Sequence, residues 1–351
     1  QPVNNLFYIV IRSIMQIGFY FYFKKIKVYG KEKLPKKGGV ILSPNHQNGV
    51  IDPFIVGVDY GDEITSLTRA DIFGGLLHKA FTAMKMIPVY RIRDGYNSLK
   101  NNDSIFDLCY SLLGKGKPVQ IFSEGRQHEN YYLMPISKGS SRMALTAQKM
   151  FPKQNIYIIP IGINYSNRRN PLAFIHLVYG DPIKIKEFID KDLPEVKQIN
   201  NIRDELTIRM KKCLWLPEKN EQNKNQHSHI NNLSGNESFD EIRNSLNMVS
   251  GYKESRELNK IEKIFSFAGY LLNLPFLLIT NKVLSKIDDV VYYGTIKLVC
   301  GIFLLPLWWA ILILITNFMN IQYSLIIVLA SIITLYIRQI NRNIIYNSKK
   351  L

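Results

Sequence analysis

A histidine and an aspartate lie close together near the start of the chain, in the stretch SPNHQNGVIDP at residues 43–53. A neutral imidazole such as that of His46 accepts a proton near pH 7, and a carboxylate on its other nitrogen fixes the tautomer and stabilises the imidazolium. His46 and Asp52 are six positions apart, so they do not share one face of a regular helix. They meet only if the residues between them turn, which Asn48-Gly49 favours. As an alternative, Asp52 caps a helix that the following proline opens.

Two arginines follow a second apolar run, in IPVYRIRDG at residues 87–95. A guanidinium group is a planar fork of donors that matches the oxygens of a phosphate group. Arg91 and Arg93 therefore both qualify as phosphate ligands at the end of a strand. The alternative for each is an ion pair on the protein surface.

Two further stretches place charged side chains at a predicted turn and a predicted helix start. Glu124 lies in QIFSEGRQHE, where a glutamate beside glycine can position a hydroxyl or a cationic group; alternatively it caps the next helix. Lys138, Gly139 and Arg142 open a helix in SKGSSRMAL, where free backbone N–H groups and the helix dipole favour anions. The alternative for Arg142 is an ordinary charge on a helix surface.

The order and spacing of these motifs, from about residue 28 to residue 185, resemble the glycerolipid acyltransferase family, whose members acylate glycerol-3-phosphate and 1-acylglycerol-3-phosphate. The family pattern is Asn-His-x-x-x-x-Asp, then an arginine after a strand, then Phe-Pro-Glu-Gly-Thr-Arg, then a proline in a later apolar strand. The matching residues in this chain are Asn45-His46 with Asp52, Arg91, Phe122-Ser123-Glu124-Gly125, and Pro160.

Three departures from the family pattern affect the site. The spacing from histidine to aspartate is one residue longer than usual, and Ser123 replaces the proline of the glutamate motif. Arg126-Gln127 replaces the Thr-Arg end, so the usual phosphate arginine is shifted or absent. The candidates to replace it are Lys138, Arg126 and Arg142.

The resemblance implies an acyltransferase that moves a fatty acyl group from acyl-CoA or acyl carrier protein to a hydroxyl of a glycerophospholipid precursor. The expected acceptor is 1-acyl-sn-glycerol-3-phosphate, which gives phosphatidic acid. His46 is expected to be the base and Asp52 to orient it, without a metal or a further cofactor. Backbone N–H groups near Gly125 are expected to stabilise the oxyanion. The expected substrate-binding residues are Asn45, Arg91, Glu124, Gly125, Arg126, Lys138 and Arg142.

Other functions remain open on these residues. Within the acyltransferase class, the alternative acceptors are glycerol-3-phosphate and an amino-acid lipid. A thioesterase-type hydrolase would use the same His46 and Asp52 on water. A membrane adaptor that keeps the fold without catalysis is a third class, against which the intact His46, Asp52 and Glu124 argue.

The charge and cysteine content of the 351 residues narrow the partners. The formal net charge is +17, which suggests an anionic partner. Because strongly apolar segments accompany the charge and no nucleic-acid-binding signature is recognisable, the expected partner is membrane lipid and not nucleic acid. The three cysteines lie far apart, without metal-ligand spacing, which favours a reducing cytoplasm.

Short apolar runs alternate with stretches of helical spacing between residues 40 and 179. This alternation predicts an α/β fold with a sheet flanked by helices, and the family resemblance implies a mixed central sheet. In such folds, sites gather at the loops that leave the strands. The predicted strands are Val40–Leu42, Ile64–Leu67, Ile87–Tyr90, Val119–Phe122 and Ile156–Ile163, and the predicted helices include Ser98–Leu113 and Ser140–Met150.

Apolar segments at both ends of the chain predict contact with a membrane. Leu6–Phe23 is rich in aromatic residues and is followed by lysines, which is typical of an interfacial helix, although a buried helix of a soluble core is the alternative. Val299–Phe318 and Leu325–Ile337 predict a membrane helical hairpin whose flanking positive charges place both ends in the cytoplasm. Ile264–Thr280 is apolar but short, and predicts a re-entrant or interfacial segment.

The predicted organisation therefore has four parts, with the active site on the cytoplasmic face of the membrane. The polar stretch around residue 220 is interpreted as a flexible linker or an insertion, with solvated histidines at His227 and His229 preferred over metal ligands. The parts are a membrane-interfacial helix at 1–27, an acyltransferase α/β domain at 28–216, the linker or insertion at 217–260 and a C-terminal membrane region with a helical hairpin at 261–351.

Overall fold

The computed structural model describes residues 2–73, 78–90, 101–247, 257–320 and 322–349. The described residues form one eight-stranded sheet in the order β1-β7-β6-β2-β5-β3-β4, with β8 paired to β6. The strands are β1 (Lys25–Tyr29), β2 (Gly39–Pro44), β3 (Thr65–Arg69), β4 (Met86–Val89), β5 (Pro118–Gln120), β6 (Ile156–Tyr165), β7 (Phe174–Tyr179) and β8 (Ile183–Lys184).

The sheet is mixed, as predicted. Strand β2 pairs in parallel with β5 and β6, and β3 pairs in parallel with β4 and β5, whereas β8 runs antiparallel to β6. All five predicted strands are present within a few residues of their expected bounds. Strands β1, β7 and the two-residue β8 were not predicted from the sequence. β1 alternates charged and apolar residues over only five positions, which is a weak strand signal beside the long aromatic helix before it.

Twelve α-helices lie among the described residues, and the two helices predicted around the sheet are both present. The part of Ser98–Leu113 before residue 101 lies outside the described residues. The helices are α1 (Pro2–Tyr22), α2 (Ile51–Tyr60), α3 (His78–Ala83), α4 (Asn101–Gly114), α5 (Gly139–Met150), α6 (Glu195–Lys212), α7 (Asn223–Asn231), α8 (Phe239–Leu246), α9 (Lys260–Leu272), α10 (Leu274–Leu284), α11 (Tyr293–Phe318) and α12 (Ser324–Lys349).

The chain divides into two compact units. The first contains residues 1–16, 27–164 and 176–219, and the second contains residues 17–26, 165–175 and 220–351. In the first unit, the strands pack their apolar side chains against α4, α5 and α6. Ile41, Val119 and Ile158 from the sheet and Leu113 and Leu145 from the helices are at most 1% exposed. Removal of this apolar surface from water is the main stabilising contribution to the scaffold.

The segment predicted as a flexible linker or insertion contains two helices, so the flexible-linker alternative is wrong for residues 223–231 and 239–246. Ile230, Ile242 and Leu246 are buried, and Ser238 begins α8 with a capping box. His227, which is predicted to be solvated, is half-buried, and its Nε2 is buried. Burial lowers the pKa of His227 to about 3 because the charged imidazolium would lose its hydration. The Asn- and Gln-rich composition hid a few apolar residues that repeat at helical spacing.

Two helices in the second unit are long and apolar enough to cross a membrane, at Val290–Phe318 and Ser324–Asn343. Phe303, Leu314 and Phe318 each expose 60% or more of their surface, as lipid-facing side chains do. The segment predicted as re-entrant or interfacial is a bent pair, since α9 and α10 meet at an angle of 81°. The break follows Asn273, and Pro275 in the first turn of α10 cannot continue a helix from the preceding residues.

Candidate active site

Two parallel strands end side by side and place the two central motifs next to each other. The register pairs Leu42 of β2 with Gln120 of β5, and the Ile121 N–H donates to the Leu42 carbonyl just beyond. Because β2 and β5 end at the same edge of the sheet, Asn45 and His46 lie beside the turn that contains Glu124. The sheet topology therefore joins two motifs that are nearly 80 positions apart in sequence.

The structure brings His46 and Asp52 together through a tight turn. The His46 Nδ1 lies 2.9 Å from the Asp52 Oδ2, and the N–H groups of Gln47 and Asn48 each donate to the same oxygen at 2.7 Å. An oxygen that accepts two backbone N–H bonds carries no proton of its own, so Nδ1 holds the proton of the imidazole. The lone pair for accepting a proton is therefore on Nε2.

Asp52 lies in the first turn of α2 and is fully buried. The N-cap residue of α2 is Val50, and no side chain caps the helix. Asp52 thus holds the preceding turn instead of capping the helix, which sets aside the N-cap alternative.

The imidazole of His46 is held flat but is not sealed from solvent. Its ring stacks on Phe122, with centroids 4.0 Å apart and planes 25° apart. The side chain of His46 is 14% exposed, whereas that of Asp52 is 0% exposed. Among the described residues, none hydrogen-bonds to Nε2. This is the arrangement that a general base requires, with one nitrogen oriented by a carboxylate and the other available to a substrate.

Asn45, which is predicted to bind substrate, contacts the neighbouring strand. Its Nδ2 donates to the Ile163 carbonyl at 3.1 Å, and its Oδ1 accepts from the Ile163 N–H at 2.7 Å. With only 1% of the residue exposed, Asn45 braces the exit of β2 against β6 and so supports the position of His46. Substrate binding by Asn45 stays a prediction.

Glu124 is also predicted to bind substrate, and this stays a prediction. Its side chain is 0% exposed in this structure and is bonded to the protein. One oxygen accepts the His46 N–H at 2.7 Å, and the other accepts the Met134 N–H at 2.8 Å. Glu124 therefore anchors the main chain at His46, because a buried carboxylate is stable only where donors surround it.

His128 is a site residue that the sequence analysis missed. Its Nε2 lies 2.5 Å from the Glu124 Oε2, and its N–H donates to the His46 carbonyl at 3.3 Å. The available signal was a histidine four positions after the motif glutamate. His128 lies directly after the six positions that correspond to Phe-Pro-Glu-Gly-Thr-Arg, so the family pattern does not include it.

The oxyanion role expected near Gly125 does not fit the N–H of Gly125 itself. That N–H donates to the Phe122 carbonyl at 3.0 Å, so it is already used. Gly125 has a φ of +70°, a left-handed conformation that closes the turn and that glycine adopts without strain. Gly125 is exposed and is a turn residue beside the site.

Three predicted basic residues lie on neighbouring stretches of chain. The Ser137 N–H donates to the Ser123 carbonyl at 2.7 Å, which sets the start of α5 beside the strand-end turn. Arg126, Lys138 and Arg142 are all exposed, and none forms an ion pair within the part of the chain that the structure describes. Exposed cations near a helix N-terminus suit an anionic group. Arg91 and Arg93 lie outside the described residues.

Ser123, which stands where the family pattern has proline, joins three elements through hydroxyl groups. Its Oγ lies 2.6 Å from the Ser43 Oγ at the end of β2 and donates to the Ser140 Oγ at 2.8 Å in α5. All three serines are 0% exposed. Ser43 and Ser140 are thus hydroxyl partners of Ser123. A proline at position 123 would leave both without this contact.

A groove runs along α2, the helix that begins at the Asp52 turn. It is open to solvent, and its lining is mainly apolar. Gly57 opens its wall, since a Cβ at that position would meet nothing within 4 Å. The groove is lined by Tyr8, Ile11, Arg12, Pro53, Phe54, Gly57, Val58, Ile64, Ser66, Met84, Met86 and Gln120.

The chain is similar to known acyltransferases. Residues 25–164 match the family model described as Acyltransferase. The chain is 28% identical over 128 residues to Glycerol-3-phosphate O-acyltransferase 1 of Saccharomyces cerevisiae, over 36% of this chain and 16% of the relative. It is 24% identical over 216 residues to the 1-acyl-sn-glycerol-3-phosphate acyltransferase of Borreliella burgdorferi, over 59% of this chain and 80% of the relative.

The chain therefore spans about a sixth of the yeast protein that it matches. Among solved structures, it matches the 1-acyl-sn-glycerophosphate (LPA) acyltransferase PlsC from Thermotoga maritima with a TM-score of 0.42 and 15% identity, over 58% of this chain and 78% of that chain. The family model and the curated relatives therefore support a glycerolipid acyltransferase-like domain at residues 25–164.

Proposed function

We propose that this protein is an O-acyltransferase that moves a fatty acyl group from a thioester to the hydroxyl of a phosphate-bearing glycerolipid, with His46 as the general base. The observation that carries the proposal is the pair of His46 and Asp52, with Nδ1 held at 2.9 Å and Nε2 left to a substrate. The acceptor we propose is 1-acyl-sn-glycerol-3-phosphate, the compound after which the Borreliella relative is named.

The chemistry needs one proton acceptor and one carboxylate. Nε2 of His46 takes the proton of the acceptor hydroxyl as its oxygen attacks the thioester carbonyl. Asp52 stabilises the imidazolium that forms. When the tetrahedral intermediate collapses, the C–S bond breaks and the imidazolium returns the proton to the departing sulfur. The thioester already contains an activated leaving group, so acyl-CoA or acyl carrier protein is the proposed co-substrate and no further cofactor is proposed.

The phosphate of the acceptor is proposed to bind at the start of α5. Lys138 and Arg126 lie on two adjoining stretches there, and both are exposed without an ion pair among the described residues. The free N–H groups of the first helical turn add a positive field. Single substitutions Lys138→Ala and Arg126→Ala are expected to raise the KM for the acceptor more than they lower kcat.

The acyl chain is proposed to lie in the groove beside α2, whose lining is mainly apolar. The two apolar helices that are long enough to cross a membrane support a membrane location, and we propose that the active site faces the cytoplasm. A substitution that fills the groove, Gly57→Leu, is expected to shift preference towards shorter acyl chains, because its wall has open space at that position.

The test of the base is His46→Ala in purified protein, with lysophosphatidic acid and acyl-CoA as substrates. A positioned base contributes roughly 10²- to 10⁴-fold in rate, so kcat should fall by that factor while the thermal unfolding temperature stays near that of the parent protein. His229→Ala, which changes a histidine outside the site, is the control. Turnover of His46→Ala at the parent rate would exclude the assignment.

A thioesterase uses the same base on water, and the two reactions differ in acceptor binding. Thiol release should therefore depend on lysophosphatidic acid, and mass spectrometry should identify phosphatidic acid as the product. Thiol release at the same rate without acceptor would identify a hydrolase. Parallel reactions with glycerol-3-phosphate and an amino-acid lipid would identify a different acceptor.

A further inference from the structure

We propose that His128 is a positioning residue for the transfer reaction: through Glu124 it holds the main chain at His46 so that Nε2 points to the acceptor hydroxyl. The inference rests on the proposed role of His46 as the base. It adds a second histidine to the site, one that touches no reacting atom.

The carboxylate of Glu124 is the link between the two histidines. One of its oxygens accepts the His46 N–H at 2.7 Å, and the other lies 2.5 Å from Nε2 of His128. Because the two carboxylate oxygens belong to one rigid plane, a change at one oxygen rotates the other. The His128 ring therefore sets the orientation in which Glu124 receives the His46 N–H.

A second contact closes the same loop. The His128 N–H donates to the His46 carbonyl at 3.3 Å, so the peptide groups on both sides of His46 are held by the segment 124–128. On the opposite side, Asp52 holds the ring through Nδ1. The base is thus fixed at its side chain by one carboxylate and at its main chain by another.

The burial of the pair explains why a hydrogen-bond donor is needed at this position. The side chains of Glu124 and His128 are 0% and 8% exposed. Water cannot replace a lost donor there, and a buried carboxylate that loses a partner turns to find another. Without His128, the Met134 N–H is the donor that remains to that oxygen among the described residues.

The test compares side chains that differ in where they present a donor. His128→Gln places an amide nitrogen near the position of Nε2, whereas His128→Asn is too short and His128→Phe keeps the ring without a donor. A displacement of about 1 Å at a reacting group costs up to about 100-fold in rate. We therefore expect kcat to fall about 10- to 100-fold in the Asn and Phe variants, with the acceptor KM within about threefold of the parent value.

Rescue by glutamine separates positioning from simple packing. His128→Gln should recover kcat to within about fivefold of the parent protein. Glu129→Gln changes an exposed neighbour in the same turn and serves as the matched control. If His128→Phe fails to fold, the comparison of Gln with Asn still decides. Parent-like kcat in Asn, or equal loss in Gln and Asn, would overturn the inference.

His46→Ala, assayed beside these variants, separates this inference from the proposed function. If His46→Ala is inactive but His128→Asn keeps the parent kcat, the assignment of His46 as the base stands and only the positioning role of His128 is excluded. If His46→Ala keeps full activity, His46 is not the base, and the inference about His128 is excluded as well.

Discussion

Two turns in this chain bury polar side chains, and they use them differently. At the turn of residues 45–52, the carboxylate of Asp52 satisfies one nitrogen of His46, and the other nitrogen has no hydrogen-bond partner among the described residues. At the helix break of the second unit, the Asn273 side chain donates to the carbonyls of Gly269 and Ser331 and accepts from the Ser331 hydroxyl. The first turn retains a reactive atom, and the second uses its polar atoms in bonds between helices.

The difference shows how a buried polar group can be assigned to chemistry or to packing. Asn273 and Ser331 are both 0% exposed and are bonded to each other, which is how polar groups hold helices together in an apolar environment. His46 is equally well braced, yet its ring is 14% exposed. A braced group that still has an unused, accessible atom is a functional candidate, whereas a fully bonded one is structural.

The largest effect is expected from Asp52→Asn. The amide can still accept the N–H groups of Gln47 and Asn48, but it cannot stabilise a charged imidazolium at Nδ1 of His46. We expect kcat to fall by about 10³-fold, with little change in unfolding temperature. Initial rates under saturating acceptor measure the effect. A loss below tenfold would contradict the orienting role of Asp52.

Two helical glycines, one in each unit, should respond in opposite directions to alanine. A Cβ at Gly269 would lie 2.7 Å from the carbonyl carbon of Thr334, so α9 and α12 would have to separate, at a cost of about 1–3 kcal/mol or more. A Cβ at Gly57 meets nothing within 4 Å, so alanine should stabilise α2 by roughly 0.5–1 kcal/mol. Thermal unfolding of both variants in detergent tests the pair. Equal shifts would contradict it.

A smaller effect is expected from Asn273→Ala. The variant loses bonds to Gly269 and Ser331, and such bonds contribute about 1–2 kcal/mol between membrane helices. Detergent unfolding should occur at lower denaturant, while kcat per folded molecule stays within about twofold of the parent value. A catalytic defect larger than the stability defect would assign the helix break a role in chemistry.

The smallest effect is expected from Ser123→Ala. The hydroxyls of Ser43 and Ser140 would each lose a partner, at about 1 kcal/mol per bond. The unfolding temperature should fall by a few degrees, and kcat should change less than in Asp52→Asn. Unchanged stability would show that the three hydroxyls contribute nothing to the scaffold.

The sequence was sufficient for the α/β class, the five central strands and the meeting of His46 with Asp52. Each depends on local pattern or on parallel strands ending at one edge. It was not sufficient for the main-chain contacts of Asn45 and Glu124, because burial and hydrogen-bond partners are properties of the packed protein. His128 was missed for the same reason, since its partner Glu124 points inward. The helices α7 and α8 were missed because a polar composition masked their few buried residues.

The bend after Asn273 limits how far each half of this segment reaches. The 13 residues of α9 and the 11 residues of α10 rise about 20 Å and about 17 Å, each less than a hydrocarbon core of about 30 Å. Neither helix is therefore long enough to cross a membrane alone. Because they meet at 81°, the pair forms either one broken span or a re-entrant loop, so that the second unit has three or two candidate spans among its described residues.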